Sequence, residues 1–163
     1  MVQRKVCVLG AFGVGKTSLV RRYVESMFSE TYLTTVGVKV DKKTLTVGTD
    51  PITLVLWDIA GQDDTTAIRM SYVRGAAGYF LVADGTRRET LDVCHSIRAR
   101  VAAEVGPIPY LLLLNKADLE TEWELADLQA GGEPDAAAVI RTSAKTGEGV
   151  EEAFQELAKR ILR

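Results

Sequence analysis

The sequence has few of the residues that mark disulfide, metal or membrane chemistry: 2 cysteines, 4 prolines and 1 histidine among 163 residues. Its longest apolar runs, such as Tyr110 to Leu114, are far shorter than the ~20 residues that a membrane-spanning helix needs. His95 has no second metal ligand three or four residues away, which argues against a zinc-type site. Cys7 and Cys94 are widely separated, and we interpret them as reduced core thiols of a cytoplasmic protein.

No charge of one sign dominates. The 20 Lys and Arg residues stand against 22 Asp and Glu residues, a net charge of −2, which excludes a polybasic nucleic-acid-binding protein. The 47% hydrophobic and 26% charged content is typical of a soluble globular domain. No repeat or Pro/Ser-rich linker divides the chain, so we expect one domain over residues 1–163.

Lipid-anchor signals are also absent from the printed sequence. The chain ends at Arg163 without a C-terminal cysteine box, and Val2 stands where N-myristoylation requires glycine. Residues 1–163 therefore include no separate tail and no visible lipid anchor, which leaves two alternatives: a longer protein was truncated, or the protein is not lipidated and would meet a membrane only through a partner.

Short apolar runs alternate with segments of helical period, which is typical of an α/β fold with a mostly parallel sheet and crossover helices. We predict six strands, about five helices on both faces and one antiparallel edge strand. Helices are expected near residues 16–24, 91–105, 121–131 and 150–161. The turn at residues 48–51 predicts an antiparallel hairpin, and a change of apolar phase at Lys42-Lys43 predicts a bulge or bend in its first strand. The predicted strands are Lys5–Leu9, Val36–Val47, Ile52–Asp58, Tyr79–Asp84, Tyr110–Asn115 and Ala137–Arg141.

A glycine-rich loop, Gly10-Ala11-Phe12-Gly13-Val14-Gly15-Lys16-Thr17, follows the first strand and opens a helix. Such a loop lets backbone N–H groups converge on a phosphate, and the helix N-terminus adds its positive end. Lys16 would reach the β- and γ-phosphates, and the Thr17 hydroxyl would bind Mg²⁺. The pattern predicts a nucleoside triphosphate site without naming the base. The expected phosphate-binding residues of the loop are Gly13, Val14, Gly15, Lys16, Thr17 and Ser18.

Asp58 ends the second strand of the hairpin, where a carboxylate suits the Mg²⁺ shell of such a site. Gly61 offers a backbone N–H to a γ-phosphate, and Gln62 is able to orient a water because its amide both donates and accepts. Thr34 or Thr35 also has a hydroxyl for Mg²⁺. The alternatives are a loop cap for Asp58, a surface amide for Gln62 and a strand-favouring role for the threonines.

The base is indicated by Asn115-Lys116-Ala117-Asp118, which follows another predicted strand. The Asp118 carboxylate is able to accept hydrogen bonds from N1–H and the exocyclic amine of guanine, a pair of donors that adenine lacks. Lys116 would pack along the base and Asn115 would tie the loops together. The other half of the pocket is expected at Ser143, Ala144 and Lys145, with a backbone N–H for the guanine O6. Helix capping is the alternative for Asp118.

In this order and spacing the motifs resemble those of the Ras-superfamily small GTPases, and those of the Rab branch most. Residues 57–62, Trp-Asp-Ile-Ala-Gly-Gln, are similar to the Trp-Asp-Thr-Ala-Gly-Gln of Rabs, and residues 28–38 resemble a Rab first switch. Residues 71–76 and 143–147 are similar to that branch as well. The resemblance covers essentially the whole chain.

The resemblance implies a GTP/GDP switch. Thr35 and Gly61 would sense the γ-phosphate, and Thr17 and Thr35 would bind Mg²⁺. Gln62 would position water, with Lys16 as the second catalytic residue, and Phe28 would lean against the guanine. An exchange factor, an activating protein and an effector would bind through residues about 28–40 and 61–74.

Three departures from the Rab pattern concern the phosphate loop and the partner surface. Phe12 replaces a small residue, Val40 stands where Rabs often have an aromatic, and Asp63-Asp64-Thr65 replaces Glu-Arg-Phe. We expect a slow GTPase, which an arginine from a partner would accelerate roughly 10³–10⁵-fold. The alternatives are a hydrolysis-deficient GTP-binding scaffold, in which Phe12 crowds Gln62, and another P-loop enzyme such as a nucleotide kinase.

Overall fold

The computed structural model describes residues 2–11, 13–24, 30–35, 38–59, 70–123 and 138–163. Within them the chain forms a seven-stranded sheet, three α-helices and two short 3₁₀ helices, at Met70–Tyr72 and Ala117–Glu122. The strands are β1 (Val2–Gly10), β2 (Glu30–Thr35), β3 (Val38–Val47), β4 (Asp50–Ile59), β5 (Gly78–Asp84), β6 (Tyr110–Asn115) and β7 (Ala138–Arg141). The α-helices are α1 (Lys16–Val24), α2 (Glu89–Val105) and α3 (Val150–Ile161).

The sheet confirms the predicted fold class. Its order is β2-β3-β4-β1-β5-β6-β7. The five strands from β4 to β7 in this order run parallel to one another. Each of the six predicted strands is present. The seventh, β2, pairs antiparallel with β3, so β3 is the strand that runs against the others but does not form the edge. The sequence of β2, Glu-Thr-Tyr-Leu-Thr-Thr, lacks the alternation of apolar and polar residues by which a strand is recognised, so only its backbone pairing reveals it.

The predicted hairpin is confirmed, whereas a bulge, one of the two irregularities predicted at Lys42-Lys43, is absent from the pairing of β3 with β4. β3 and β4 pair without interruption from Val38 opposite Ile59 to Val47 opposite Asp50. The apolar phase changes for another reason: Val38 packs in the core on one face of the sheet, while Val47 packs against the core on the other face. The covered face therefore changes along a regular strand.

Two helical layers cover the sheet, as alternation along β1 illustrates. Val6 and Val8 face the layer that contains α1 and α3, and Cys7 and Leu9 face the layer that contains α2. A strand buried on both faces is typical of a parallel sheet between helices. Cys7 and Cys94 are free, buried thiols, which confirms their interpretation as core residues.

Three of the expected helices correspond to α1, α2 and α3. The helix expected near residues 121–131 starts in a 3₁₀ segment that ends at Glu122, and residues 124–131 lie outside the described part of the chain. None of the helices in the described ranges is long and apolar enough to cross a membrane.

Candidate functional site

The candidate site lies where parallel strands end. The carboxyl ends of β1, β4, β5 and β6 lie at one edge of the sheet. β1 leads into the glycine-rich loop, and the other three strands carry Asp58, Asp84 and Asn115 at or next to their last residues. This edge is where open α/β sheets bind ligands.

The glycine-rich loop connects β1 to α1 with two residues in the left-handed backbone region. Gly13 has a φ of 78° and Gly15 a φ of 98°. A Cβ atom on Gly15 would also overlap the side-chain amide of Asn115. Glycine is therefore required here both by the backbone and by the close approach of a second loop. Phe12 lies outside the described residues.

Lys16 begins α1 and is buried together with Asp58. Burial lowers the pKa of Lys16, and the charge of Asp58 opposes that shift. Burial likewise raises the pKa of Asp58, against the hydrogen bond from Thr17 and the charge of Lys16. Burial therefore disfavours the charged form of both side chains, and a bound group of opposite charge would stabilise that form.

Thr17 and Asp58 meet across the loop and the end of β4. The Thr17 hydroxyl donates to Oδ2 of Asp58 at 2.6 Å, which leaves the hydroxyl lone pairs available to a cation. Oδ1 of Asp58 is buried and has no hydrogen-bond partner among the residues that the structure describes. A hydroxyl and a carboxylate are hard oxygen donors, and Mg²⁺ adds waters and ligand phosphates to one or two protein groups. These residues therefore fit a Mg²⁺ site.

The other residues expected at this end are only partly described. Thr35 is the last residue of β2, and nothing is described of its side chain. Gly61, Gln62 and Phe28 lie outside the described residues, as do Asp63, Asp64 and Thr65.

Asn115 ties two loops together, as the sequence predicts. Its Nδ2 donates to the backbone carbonyl of Val14 at 2.8 Å, and its Oδ1 accepts from the hydroxyl of Thr142 at 3.1 Å. Asn115, Val14 and Thr142 are all buried. Because buried amides are costly to leave unpaired, this residue fixes the glycine-rich loop against the loops that follow β6 and β7.

A cavity of about 390 Å³ opens beside Asn115, within the size range of ligand pockets. Ser143 is buried, and its hydroxyl donates to Oδ1 of Asp118 at 2.7 Å. It therefore supports the carboxylate, while its neighbours Ala144 and Lys145 reach the cavity. The lining residues are Gly15, Ser18, Asn115, Lys116, Asp118, Leu119, Ala144 and Lys145.

Lys116 is held at both ends by residues that the sequence did not reveal. Its φ of 71° is the only positive value for a non-glycine among the described residues. Nε1 of Trp123 donates to its carbonyl at 2.7 Å, and its Nζ lies 2.7 Å from Oδ2 of Asp84. The Trp123 indole packs so closely on Gly85 that any Cβ there would overlap it. Trp123 is thus a packing and positioning residue of this loop.

Asp84 ends β5 and collects several donors. Burial alone would raise its pKa, but hydrogen bonds from Lys116, Thr86 and Arg87 together lower the pKa below its ordinary value. The sequence carried one signal for it, an aspartate at the end of an apolar strand next to Gly85. That signal gives no partner, because the partners come from the neighbouring loops.

Comparison with known proteins places these observations in a family context. The model of the Ras family matches residues 5–163. The Ras-related protein Rab-4A of Bos taurus is 38% identical over 162 residues, which cover 97% of this chain and 74% of that protein. The Ras-related protein Rab-4B of Homo sapiens is 37% identical over 161 residues, or 97% of this chain and 76% of that protein. The Ras-related protein Rab-4A of Danio rerio is 37% identical over 162 residues, with the same two shares.

Proposed function

Because the chain belongs to the Ras family and is a Rab-like member of it, we propose that it is a guanine-nucleotide-dependent switch that hydrolyses GTP slowly, with Mg²⁺. Members of this family bind GTP and GDP and hydrolyse GTP. The observation that carries the proposal is the joint placement of two groups at one sheet edge. The Thr17–Asp58 pair suits a metal-bound phosphate, and the cavity beside Asp118 suits a base.

The phosphate end of the site supplies charge and position. Backbone N–H groups of residues 13–18 would surround the phosphates. Lys16, which is buried, would neutralise their charge. Thr17 and Thr35 would hold Mg²⁺, with Asp58 holding Thr17 and a water of the metal. Bound there, Mg²⁺ would neutralise charge that develops on the phosphate oxygens.

Hydrolysis needs a water in line with the γ-phosphate. We assign that water to the Gln62 amide and the γ-phosphate contact to the Gly61 N–H. A partner is expected to supply an arginine, because positioning and charge dominate phosphoryl transfer.

The base end supplies specificity. Asp118, held by Ser143, faces the cavity and would accept from guanine, while Lys116 and Phe28 would contact the base on its faces. Ala144 and Lys145 complete the pocket, with Ser143 behind it.

Partners are proposed by analogy with the family, through the two segments that resemble its switches. Residues about 28–40 and 61–74 would carry the exchange factor, the activating protein and the effector. The nucleotide would control these contacts through Thr35 and Gly61, to which we assign contacts with the γ-phosphate. A cytoplasmic location and a single domain are part of the same proposal.

Single-turnover hydrolysis of GTP-loaded protein with Mg²⁺ tests the proposal, in wild type, Gln62→Leu and Phe12→Gly. We expect slow conversion to GDP in wild type and none in Gln62→Leu. Stable GTP in wild type with hydrolysis restored in Phe12→Gly would instead favour the scaffold, in which the phenyl ring blocks the water. Preference for ATP over GTP would refute both and favour another P-loop enzyme.

A further inference from the structure

An ion cluster surrounds the end of β5, outside the groups already assigned to the nucleotide phosphates. The side chain of Asp84 is 1% exposed, and its Oδ1 accepts from both the backbone N–H of Thr86 at 2.9 Å and the hydroxyl of that residue at 2.7 Å. Its Oδ2 lies 2.7 Å from Nζ of Lys116 and 3.2 Å from Nε of Arg87. One buried carboxylate thus anchors two cationic side chains.

Arg87 extends from this anchor to the glycine-rich loop. Oδ2 of Asp84 accepts from Nε of Arg87, and the neighbours of the two Nη groups show where the rest of the guanidinium group lies. Nη1 lies 3.9 Å from Glu89, whose side chain is 68% exposed, so that pair is weakly coupled. Nη2 lies 3.4 Å from the point where a Cβ atom of Gly13 would stand. A guanidinium nitrogen therefore lies beside Gly13, in the loop that would hold the phosphates.

The order of the strands indicates which phosphates Arg87 approaches. Asp58 lies at the end of β4, the loop follows β1, Asp84 ends β5 and Asn115 ends β6, and these strands are adjacent in that order. The metal and the γ-phosphate belong at the β4 side and the base at the β6 side. Arg87 follows β5, which lies between the strand that leads into the loop and the strand at the base side, so we expect its guanidinium group near the inner phosphates.

We propose that Arg87 is a further nucleotide-binding residue, which contacts the α- or β-phosphate of the bound guanine nucleotide. This inference rests on the proposed function, since it uses the same site. Arg87 would then strengthen binding of GDP and GTP alike, because both nucleotides carry these phosphates. A guanidinium group on a phosphate makes a charge-assisted hydrogen bond, which is stronger than a neutral one.

Release of fluorescently labelled GDP, chased with excess GDP, tests the assignment. Arg87→Met keeps the length of the side chain and removes its charge, so release should accelerate roughly 3- to 10-fold. Arg87→Lys keeps the charge and should recover part of the loss. Arg88→Met is the matched control, because Arg88 is an exposed neighbour at the start of α2, and it should release GDP at the wild-type rate.

Two further measurements separate charge from packing and locate the contact. Wild-type release should accelerate with KCl more steeply than release from Arg87→Met, because salt screens a charged contact. A labelled non-hydrolysable GTP analogue should be released faster from Arg87→Met by the same factor as GDP.

Equal GDP release from Arg87→Met and Arg88→Met would overturn the inference and leave the proposed function intact. An acceleration confined to the GTP analogue would also overturn it, because the contact would then be with the γ-phosphate. If Arg87→Met does not fold, Arg87→Lys decides, and release at the wild-type rate with unchanged KCl dependence refutes a guanidinium contact. Wild-type protein that fails to retain GDP would refute the proposed function itself.

Discussion

Replacement of Asn115 by Ala should weaken the link between the glycine-rich loop and the loops that follow β6 and β7. The change removes the 2.8 Å hydrogen bond to the Val14 carbonyl and leaves the Thr142 hydroxyl, 3.1 Å away in the wild type, without this acceptor. A buried hydrogen bond contributes about 1 kcal/mol net, and an unpaired buried group costs about 1–3 kcal/mol. The free energy of unfolding should therefore fall by about 2–4 kcal/mol. For a domain of this size, that corresponds to a decrease in Tm of about 5–15 °C.

The matched control is Thr142→Val, which removes one hydrogen bond and leaves the bond between Asn115 and Val14. Urea unfolding without nucleotide gives the stability of each variant free of ligand effects. GDP release then reports on the loop, and we expect about tenfold faster release from Asn115→Ala than from Thr142→Val. Equal release from the two variants, or an unfolding free energy of Asn115→Ala within 0.5 kcal/mol of wild type, roughly the size of an ordinary surface substitution, would refute the reasoning.

Three further predictions address the base, a close contact and a buried thiol. Asp118→Asn should shift base preference from guanine toward xanthine in competition assays, and an unchanged preference would exclude this carboxylate from the pocket. Ser143→Ala should keep the preference for guanine and speed GDP release roughly 3- to 10-fold, because it removes only the 2.7 Å hydrogen bond to Asp118. Gly85→Ala should lower the free energy of unfolding by about 1–3 kcal/mol, because its methyl group overlaps the Trp123 ring, and a wild-type urea midpoint would contradict that packing. Burial raises the pKa of Cys7 to about 12 from an ordinary 9.0, so the folded protein keeps a proton that the unfolded chain loses. The free energy of unfolding should then fall as pH rises from about 9 toward 12, and Cys7→Ala should flatten that fall; identical slopes would count against the shift.

Local pattern was enough to predict most of the fold. A strand buried on both faces, such as β1, is a continuous apolar run, and the hairpin is bounded by turn residues. The alternation pattern failed for β2 and β3, because it recognises a strand by one face that stays buried along its whole length. β2 has a polar sequence and is held by pairing with β3, while β3 itself changes its covered face between Val38 and Val47.

The candidate site likewise contains contacts that the sequence predicts and contacts that it does not. The bond from Asn115 to the glycine-rich loop was predictable, since the motif carries the residue and the strand end gives its position. The cluster of Asp84, Arg87 and Lys116 was not, because it depends on β5 lying between β1 and β6. Sheet order is decided by packing of whole layers, and a short window of sequence does not contain it.

The indole of Trp123 gives the molecule an optical reporter of its own. The chain has 2 tryptophans. Trp57 is half-buried beneath the ammonium group of Lys5, whereas Trp123 is buried and bonded to the Lys116 carbonyl beside the cavity. With Trp57 replaced by Phe, the emission of the protein comes from the indole that holds the loop next to Asp118. Its wavelength would then follow, without any attached dye, whether that loop is closed on a ligand or open to water.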